Sequence, residues 1–164
     1  MIPFDKVFLN SAEVGRHMPV GDAVIHYHEQ GEGPALVLLP GLGFSLFTFR
    51  YIIAPLSERY RVLSVDLPGC GYSRGLNGTG TLEDMAGTLE QFIDALCPDP
   101  VAILGVAEGA LYGLLLAQRR PEKVAALPLV SPGSLTRHYP WAVQLLLTPW
   151  VGEWLVRRAT DADL

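Results

Sequence analysis

One short segment limits the folds open to this chain more than any other: residues 105–109 read Gly-Val-Ala-Glu-Gly. The apolar run 101–104 precedes it, and the small-residue run 110–117 follows it. This pattern predicts a buried strand that turns sharply into a helix. Gly105 and Gly109 suit such a turn, because side chains at these two places would meet the adjoining strand and helix.

This arrangement has the frame of a nucleophile elbow, in which the side chain at the centre of the turn attacks the substrate. Ala107 occupies the central position. Its methyl group has no nucleophilic atom, so the segment has the setting of a reactive residue without its chemistry. Paired glycines at a strand-to-helix turn also serve packing alone, and two further motifs decide between these interpretations.

Two other glycine-rich segments each follow a strand candidate. Residues 38–45 read Leu-Leu-Pro-Gly-Leu-Gly-Phe-Ser, and residues 66–73 read Asp-Leu-Pro-Gly-Cys-Gly-Tyr-Ser. Glycines in the first segment allow backbone N–H groups to point inward, as one donor of an oxyanion hole must. In the second segment, we interpret Asp66 as a carboxylate that caps the turn rather than as a catalytic acid.

With these three motifs in this order, the chain resembles the α/β-hydrolase fold superfamily over residues 21–133. It is similar above all to the capped esterases, epoxide hydrolases, dehalogenases and haloperoxidases. The resemblance implies an α/β fold with a mostly parallel sheet and flanking helices. It further implies an incomplete amino-terminal part of the core over residues 1–133, and the truncated start of a helical cap over residues 134–164.

The resemblance also implies the site residues. The backbone N–H groups of Leu42 and Glu108 would form the oxyanion hole around position 107. The side chain of Glu108 is interpreted as favourable to the helix dipole rather than as reactive. In this family the catalytic acid and histidine follow the nucleophile along the chain, so we expect this chain to stop before both.

Hydrophobic patterning predicts alternating strands and helices from the third strand onward. The strand candidates are residues 6–9, 23–28, 35–39, 61–65, 101–104 and 125–130, and the helix candidates are residues 47–57, 82–96 and 108–119.

We predict neither a metal nor a cofactor. His26 and His28 alternate along a strand candidate, but no third ligand with suitable spacing accompanies them, so a partly exposed strand face is the better interpretation. His17 and His138 are interpreted as loop residues. The two cysteines are spaced unlike a zinc or redox motif and are predicted to be unpaired thiols.

The composition and the ends of the sequence indicate which kinds of ligand and surroundings to expect. The chain is 49% hydrophobic, has a net charge of -5 and has no basic patch, which disfavours nucleic acid and favours a small apolar ligand. The amino terminus lacks the features of a secretory signal, so the default compartment is the cytoplasm. The apolar stretch 139–156 is interrupted by Pro149 and Glu153, which favours a lid over a transmembrane helix.

The resemblance therefore implies derivation from a serine hydrolase acting on a small apolar ester, amide or lactone. With Ala107 in place of the nucleophile, and the later acid and histidine absent, the chain is expected to be inactive as written. Three alternatives stay open: a natural pseudoenzyme that binds a ligand, a lyase, cyclase or cofactor-independent oxygenase, and an epoxide hydrolase or dehalogenase ancestor with an aspartate nucleophile.

The last strand candidate, residues 125–130, is apolar and would form an edge of the sheet. An exposed apolar edge invites pairing with another chain. We therefore expect either a complementary carboxyl-terminal chain or self-association through this edge.

Overall fold

The structure is a computed structural model that describes residues 15–132. Within this range, one seven-stranded sheet is flanked by three α-helices. The predicted strand at residues 6–9 and the predicted cap over residues 134–164 lie outside the described residues. The strands are β1 (Arg16–Val20), β2 (Ala23–Gln30), β3 (Ala35–Leu39), β4 (Arg61–Val65), β5 (Val101–Val106), β6 (Val124–Ala126) and β7 (Leu129–Val130), and the helices are α1 (Ile53–Ser57), α2 (Leu82–Leu96) and α3 (Glu108–Arg119).

The sheet is mixed, with the order β1-β2-β4-β3-β5-β6, and β7 also pairs with β5. The β1–β2 and β2–β4 pairings are antiparallel, and the pairings of β3 and β5 with their neighbours are parallel. Parallel strands buried on both faces are continuous apolar runs, as the Ala-Leu-Val-Leu-Leu sequence of β3 is. Because β3, β4 and β5 are parallel, the three glycine-rich segments that follow them lie together at the carboxyl ends of these strands.

Hydrophobic side chains pack on both faces of the sheet. Successive residues of a strand point to opposite faces. Val37 and Leu39 accordingly join the core beneath α2 and α3, whereas Leu36 and Leu38 pack with Phe49 near α1. Side chains thus cover both faces of the sheet near the carboxyl ends of its parallel strands, where the three motifs lie.

Local signals set the bounds of α2. Thr81 accepts a hydrogen bond from the Asp84 N–H, and the Asp84 carboxylate accepts one from the Thr81 N–H, which completes a capping box. The buried face of the helix includes Leu89 and Phe92, and the Phe92 ring meets that of Tyr27 edge-on at 5.1 Å. The predicted range 82–96 is confirmed.

The single helix predicted over residues 47–57 was wrong. A 3-10 turn spans Leu46–Phe49, and α1 begins only at Ile53. Pro55 lacks an N–H and fits the first turn of a helix but not the interior, so a helix beginning at residue 47 could not continue through it.

The single strand predicted over residues 125–130 was also wrong. It is divided into β6 and β7, both of which pair with β5. Pro128 lies between them and cannot donate to a sheet ladder, although its carbonyl accepts the Gly105 N–H at 3.1 Å. Ala125 and Ala126 of β6 are exposed. The expected pairing of this edge with another chain stays a prediction.

Candidate active site

The turn between β5 and α3 holds Ala107 in a rare backbone conformation. Its φ is 49° and its ψ is -109°. A non-glycine residue with positive φ costs on the order of 1–3 kcal/mol and persists only where its surroundings impose it. The Ala107 N–H donates to the Val130 carbonyl at 3.0 Å, so β7 holds the turn from one side. The Cβ of residue 107 is thereby fixed at the head of α3.

The glycines on either side leave no room for a side chain. A Cβ on Gly105 would lie 2.5 Å from Ala110 Cα, and a Cβ on Gly109 would overlap the Leu39 carbonyl. The first obstacle belongs to α3 and the second to β3. Both are backbone atoms that cannot rotate away, so this sharp turn requires glycine at both positions.

The loop after β3 passes beside Ala107. A Cβ built on Gly41 would lie 3.3 Å from the Ala107 Cβ. The Phe44 N–H donates to the Gly41 carbonyl at 3.1 Å, which closes a tight turn around Leu42. Among the described residues, no backbone carbonyl accepts the Leu42 N–H. Glu108 lies in the first turn of α3, where a helix offers its N–H no acceptor.

The strain at Ala107 leads to a prediction. Ala107→Gly is expected to raise the free energy of unfolding by about 1 kcal/mol, because glycine adopts positive φ without strain while losing somewhat more entropy on folding. Urea unfolding followed by circular dichroism measures the difference. Ala110→Gly is the control, and it is expected to lower stability by about 1 kcal/mol or more, since Ala110 is buried inside α3. Equal losses in the two variants would contradict a strained turn.

The Asp66 side chain contacts three separate segments near the carboxyl ends of the strands: the loop after β3, the loop after β4, and β2. This side chain is fully buried. Oδ1 accepts the Leu46 N–H at 2.7 Å, and Oδ2 accepts the Tyr72 N–H at 2.9 Å and lies 2.8 Å from His26 Nδ1. Asp66 therefore caps its own turn, as the sequence indicates, and also binds the far end of the loop that carries Leu42.

The expected partly exposed face at His26 was wrong. His26 is fully buried, whereas His28 is half-buried. The His26 ring packs 4.8 Å from that of His17 and 5.3 Å from that of Tyr72. His17 lies in β1 rather than in a loop, opposite His26 in the register of the sheet. Alternation along β2 could not reveal that β1 and the loop after β4 cover this histidine. His138 lies outside the described residues.

Ser73 also belongs to this buried cluster. Its hydroxyl accepts the His26 N–H and donates to the Asp66 carbonyl, both at 2.8 Å. A hydroxyl engaged in this way joins two backbone segments. It lies away from the strand-turn-helix setting that activates a nucleophile.

The side chain of Glu108 interacts with Tyr112, one helical turn further along α3. Burial raises the pKa of Tyr112 to about 12, and the nearby negative charge of Glu108 contributes in the same direction. The phenol therefore stays protonated at neutral pH.

Comparison with known proteins identifies the family. The model of the alpha/beta hydrolase fold matches residues 34–160. The chain belongs to the α/β-hydrolase fold family. The predicted family and the predicted α/β architecture are thereby confirmed.

Relatives within this family have different names. The chain is 44% identical over 92 residues to the magnesium-chelatase 30 kDa subunit of Rhodobacter capsulatus, covering 55% of this chain and 32% of that protein. It is 33% identical over 125 residues to the pimeloyl-[acyl-carrier protein] methyl ester esterase of Nitrosomonas europaea, covering 74% of this chain and 48% of that one. The haloalkane dehalogenase DatA of Agrobacterium tumefaciens C58 superposes with a TM-score of 0.78 at 29% identity, over 89% of this chain and 53% of its own.

The chain thus spans 32% and 48% of the length of these two curated relatives. The α/β-hydrolase fold is common to them, and their reactions differ. Several of these relatives have the names of hydrolases, among them an esterase and a dehalogenase. The reaction of this chain has to be argued from its own residues.

A cavity of about 460 Å³ lies elsewhere in this α/β-hydrolase fold. Its walls include Ala35, Arg61 and Pro100, which lie at the amino ends of β3, β4 and β5. Open α/β sheets bind their ligands at the carboxyl ends of the strands, where Ala107 lies. Across residues 15–132, no three His, Cys, Asp or Glu side chains are grouped as metal ligands, and no helix combines the length and apolarity needed to cross a membrane.

Proposed function

We propose that the turn at Ala107 is the nucleophile elbow of a serine-type α/β hydrolase, and that this chain has alanine where the attacking hydroxyl belongs. The observation that carries the proposal is the positive φ of Ala107, 49°, at the junction of β5 and α3. Such strain is maintained where a side chain has to be presented in one direction. The ligand class is a small apolar ester, amide or lactone.

In an enzyme of this type, a serine at position 107 would attack the carbonyl carbon and push an electron pair onto the carbonyl oxygen. The N–H groups of Leu42 and Glu108 would stabilise that oxygen, helped by the amino-terminal end of α3. A base from elsewhere in the protein would take the serine proton. With Ala107 the first bond cannot form, so the site is expected to bind the carbonyl group without hydrolysing it.

The surroundings of Ala107 support an apolar acyl ligand. Leu42 and Phe44 are 62% and 64% exposed, although both are large and apolar. Gly41 has no side chain to fill the space beside Ala107. An acyl group placed beside Ala107 would have its apolar substituents in contact with these exposed side chains.

An engineered thiol tests this assignment. In Ala107→Cys, the thiol would lose its proton to solvent and p-nitrophenyl acetate would acylate the thiolate: the sulfur–carbonyl bond forms, and p-nitrophenolate leaves with its electron pair. Iodoacetamide would alkylate the same sulfur by displacing iodide, with no oxyanion. An oxyanion hole accelerates only the first reaction. We expect the ratio of acylation to alkylation rates to exceed that of an ordinary protein thiol by about tenfold or more.

Ala126→Cys provides the ordinary thiol, because Ala126 is exposed on the edge strand β6. Mass spectrometry of peptides separates the new thiol from those of Cys70 and Cys97. Equal ratios in the two variants would refute an oxyanion hole at Ala107. Ester hydrolysis by the unmodified chain would refute its predicted inactivity.

The similarity to DatA favours one other candidate, an ancestral aspartate nucleophile. Ala107→Asp treated with 1-bromobutane discriminates the two. A displaced nucleophile of that kind would form an ester between the carboxylate and the butyl group, with loss of bromide and a mass increase on the peptide that contains position 107. Under the serine-type proposal we expect no such adduct.

A further inference from the structure

We propose that Asp66 is a positioning residue for the oxyanion hole: its carboxylate holds the loop that presents the Leu42 N–H to the substrate. The proposal rests on the function proposed above. The carrying observation is that the buried carboxylate binds Leu46, at the far end of that loop.

The loop is fixed at its two ends. It leaves β3 at Leu39 and passes Ala107 at Gly41, and the Leu46 N–H donates to Asp66 Oδ1 at 2.7 Å. Between these ends, the described backbone contact is the bond from the Phe44 N–H to the Gly41 carbonyl. The Leu46 end is also held by its buried side chain and by the Ser64 hydroxyl, which donates to the Leu46 carbonyl at 3.4 Å. The bond to Asp66 fixes the orientation of the Leu46 N–H, and through it the path of the backbone that leads back to Leu42.

Asp66 is itself held rigidly. Its backbone N–H donates to the His26 carbonyl at 2.9 Å, and its Oδ2 lies 2.8 Å from His26 Nδ1. His26 is anchored in turn, because its own N–H donates to Ser73 Oγ and its ring is buried against that of His17. The carboxylate therefore connects the loop to β2, which belongs to the rigid sheet.

The chemistry of this position requires a carboxylate. Three donors point at its two oxygens: the N–H groups of Leu46 and Tyr72, and His26 Nδ1. An asparagine has the same shape but replaces one acceptor with an NH₂ donor. In either orientation of the amide, at least one of the three donors faces the NH₂ group instead of an oxygen. The resulting repulsion displaces the side chain as a whole, and with it the atom that binds the Leu46 N–H. Misplacement by about 1 Å is enough to cost on the order of 10²-fold in rate.

The test is carried out in Ala107→Cys, using the acylation and alkylation reactions described above. Adding Asp66→Asn is expected to lower the ratio of acylation to alkylation about tenfold or more, while alkylation alone changes little. A general loss of structure would alter both reactions. Asp84→Asn is the matched control, because the Asp84 carboxylate also accepts backbone N–H groups but caps α2 instead of the loop.

A second variant removes the same bond from the other side. Leu46→Pro deletes the N–H that reaches Asp66 and leaves the carboxylate intact. It also removes a leucine side chain that is only 1% exposed, so Leu46→Ala, which keeps the N–H, is its control. Leu46 is the first residue of its 3-10 turn, where proline is tolerated, and Ser45 before it is already extended, with φ -117° and ψ 173°. We expect Leu46→Pro to lower the ratio of acylation to alkylation as Asp66→Asn does. The test therefore does not depend on whether the Asp66→Asn variant folds.

Each outcome has one meaning. A high ratio in Ala107→Cys that falls in both loop variants and persists in Asp84→Asn supports the positioning role. A high ratio that persists in both loop variants overturns the role of Asp66 and leaves the proposed function standing. A ratio in Ala107→Cys no higher than that in Ala126→Cys overturns the proposed function and the positioning role together.

Discussion

Gly109→Ala is expected to lower the free energy of unfolding by more than about 4 kcal/mol. The added Cβ would overlap the carbonyl of Leu39 and lie 2.6 Å from the Pro40 oxygen. These atoms belong to the end of β3, so no side-chain rotation relieves the contact, and α3 would have to move away from the sheet. A loss above about 4 kcal/mol is a large part of the stability of a domain. Urea unfolding followed by circular dichroism measures it.

Gly87→Ala is the matched control for this change. Gly87 lies inside α2, and a Cβ there would meet nothing within 4 Å. Alanine is favoured over glycine in a helix by about 1 kcal/mol, so this variant is expected to be as stable as the parent or more stable. If Gly109→Ala unfolds at the same urea concentration as Gly87→Ala, the close approach of α3 to β3 is not a feature of the folded protein.

Phe92→Ala is expected to cost about 3–5 kcal/mol of unfolding free energy, the range typical of a large aromatic side chain deleted from a core. The Phe92 side chain is fully buried, and its ring contacts the Tyr27 ring edge-on at 5.1 Å. Truncation would leave a cavity between α2 and β2 that rigid neighbours cannot fill. The same urea titration measures this loss.

Phe44→Ala removes the same atoms from the surface. Phe44 is 64% exposed, and its truncation is expected to change stability by no more than about 0.5 kcal/mol. A large loss in this variant, or a small one in Phe92→Ala, would show that the core is not centred on α2. The two variants also separate effects on folding from effects on binding. Phe44 lies on the loop beside Ala107, so its truncation is expected to weaken the binding of an apolar ligand without a comparable loss of stability.

Elements with strong local signals were predicted to the residue. The ranges of β3, β4, α2 and α3 agree with the sequence prediction. In β3 an unbroken apolar run, and in β4 a run rich in valine and leucine, ends just before a glycine- and proline-containing turn, and in α2 a capping box marks the first turn. Such signals depend on neighbouring residues alone, so they can be interpreted without knowledge of the fold.

Prediction failed where one residue outweighed an apolar pattern or where a partner strand decided the outcome. Pro55 delays α1, and Pro128 divides the last strand, although both lie inside apolar stretches. β1 was missed because its sequence, Arg-His-Met-Pro-Val, has little apolar alternation. It is a strand because β2 pairs with it, and a pairing partner is not visible in the strand itself.

The sequence by itself determined the fold family and the chemical fact that matters most, namely that Ala107 offers no nucleophile. Both can be recognised without the tertiary structure: the first from three glycine-rich motifs in their order along the chain, and the second from the atoms of one side chain. Only the tertiary structure decided that Asp66 would meet Leu46 and His26, which are 20 and 40 residues away. These segments lie close together because neighbouring strands end at the same side of the sheet. No local sequence pattern indicates which donors will lie beside a buried carboxylate there.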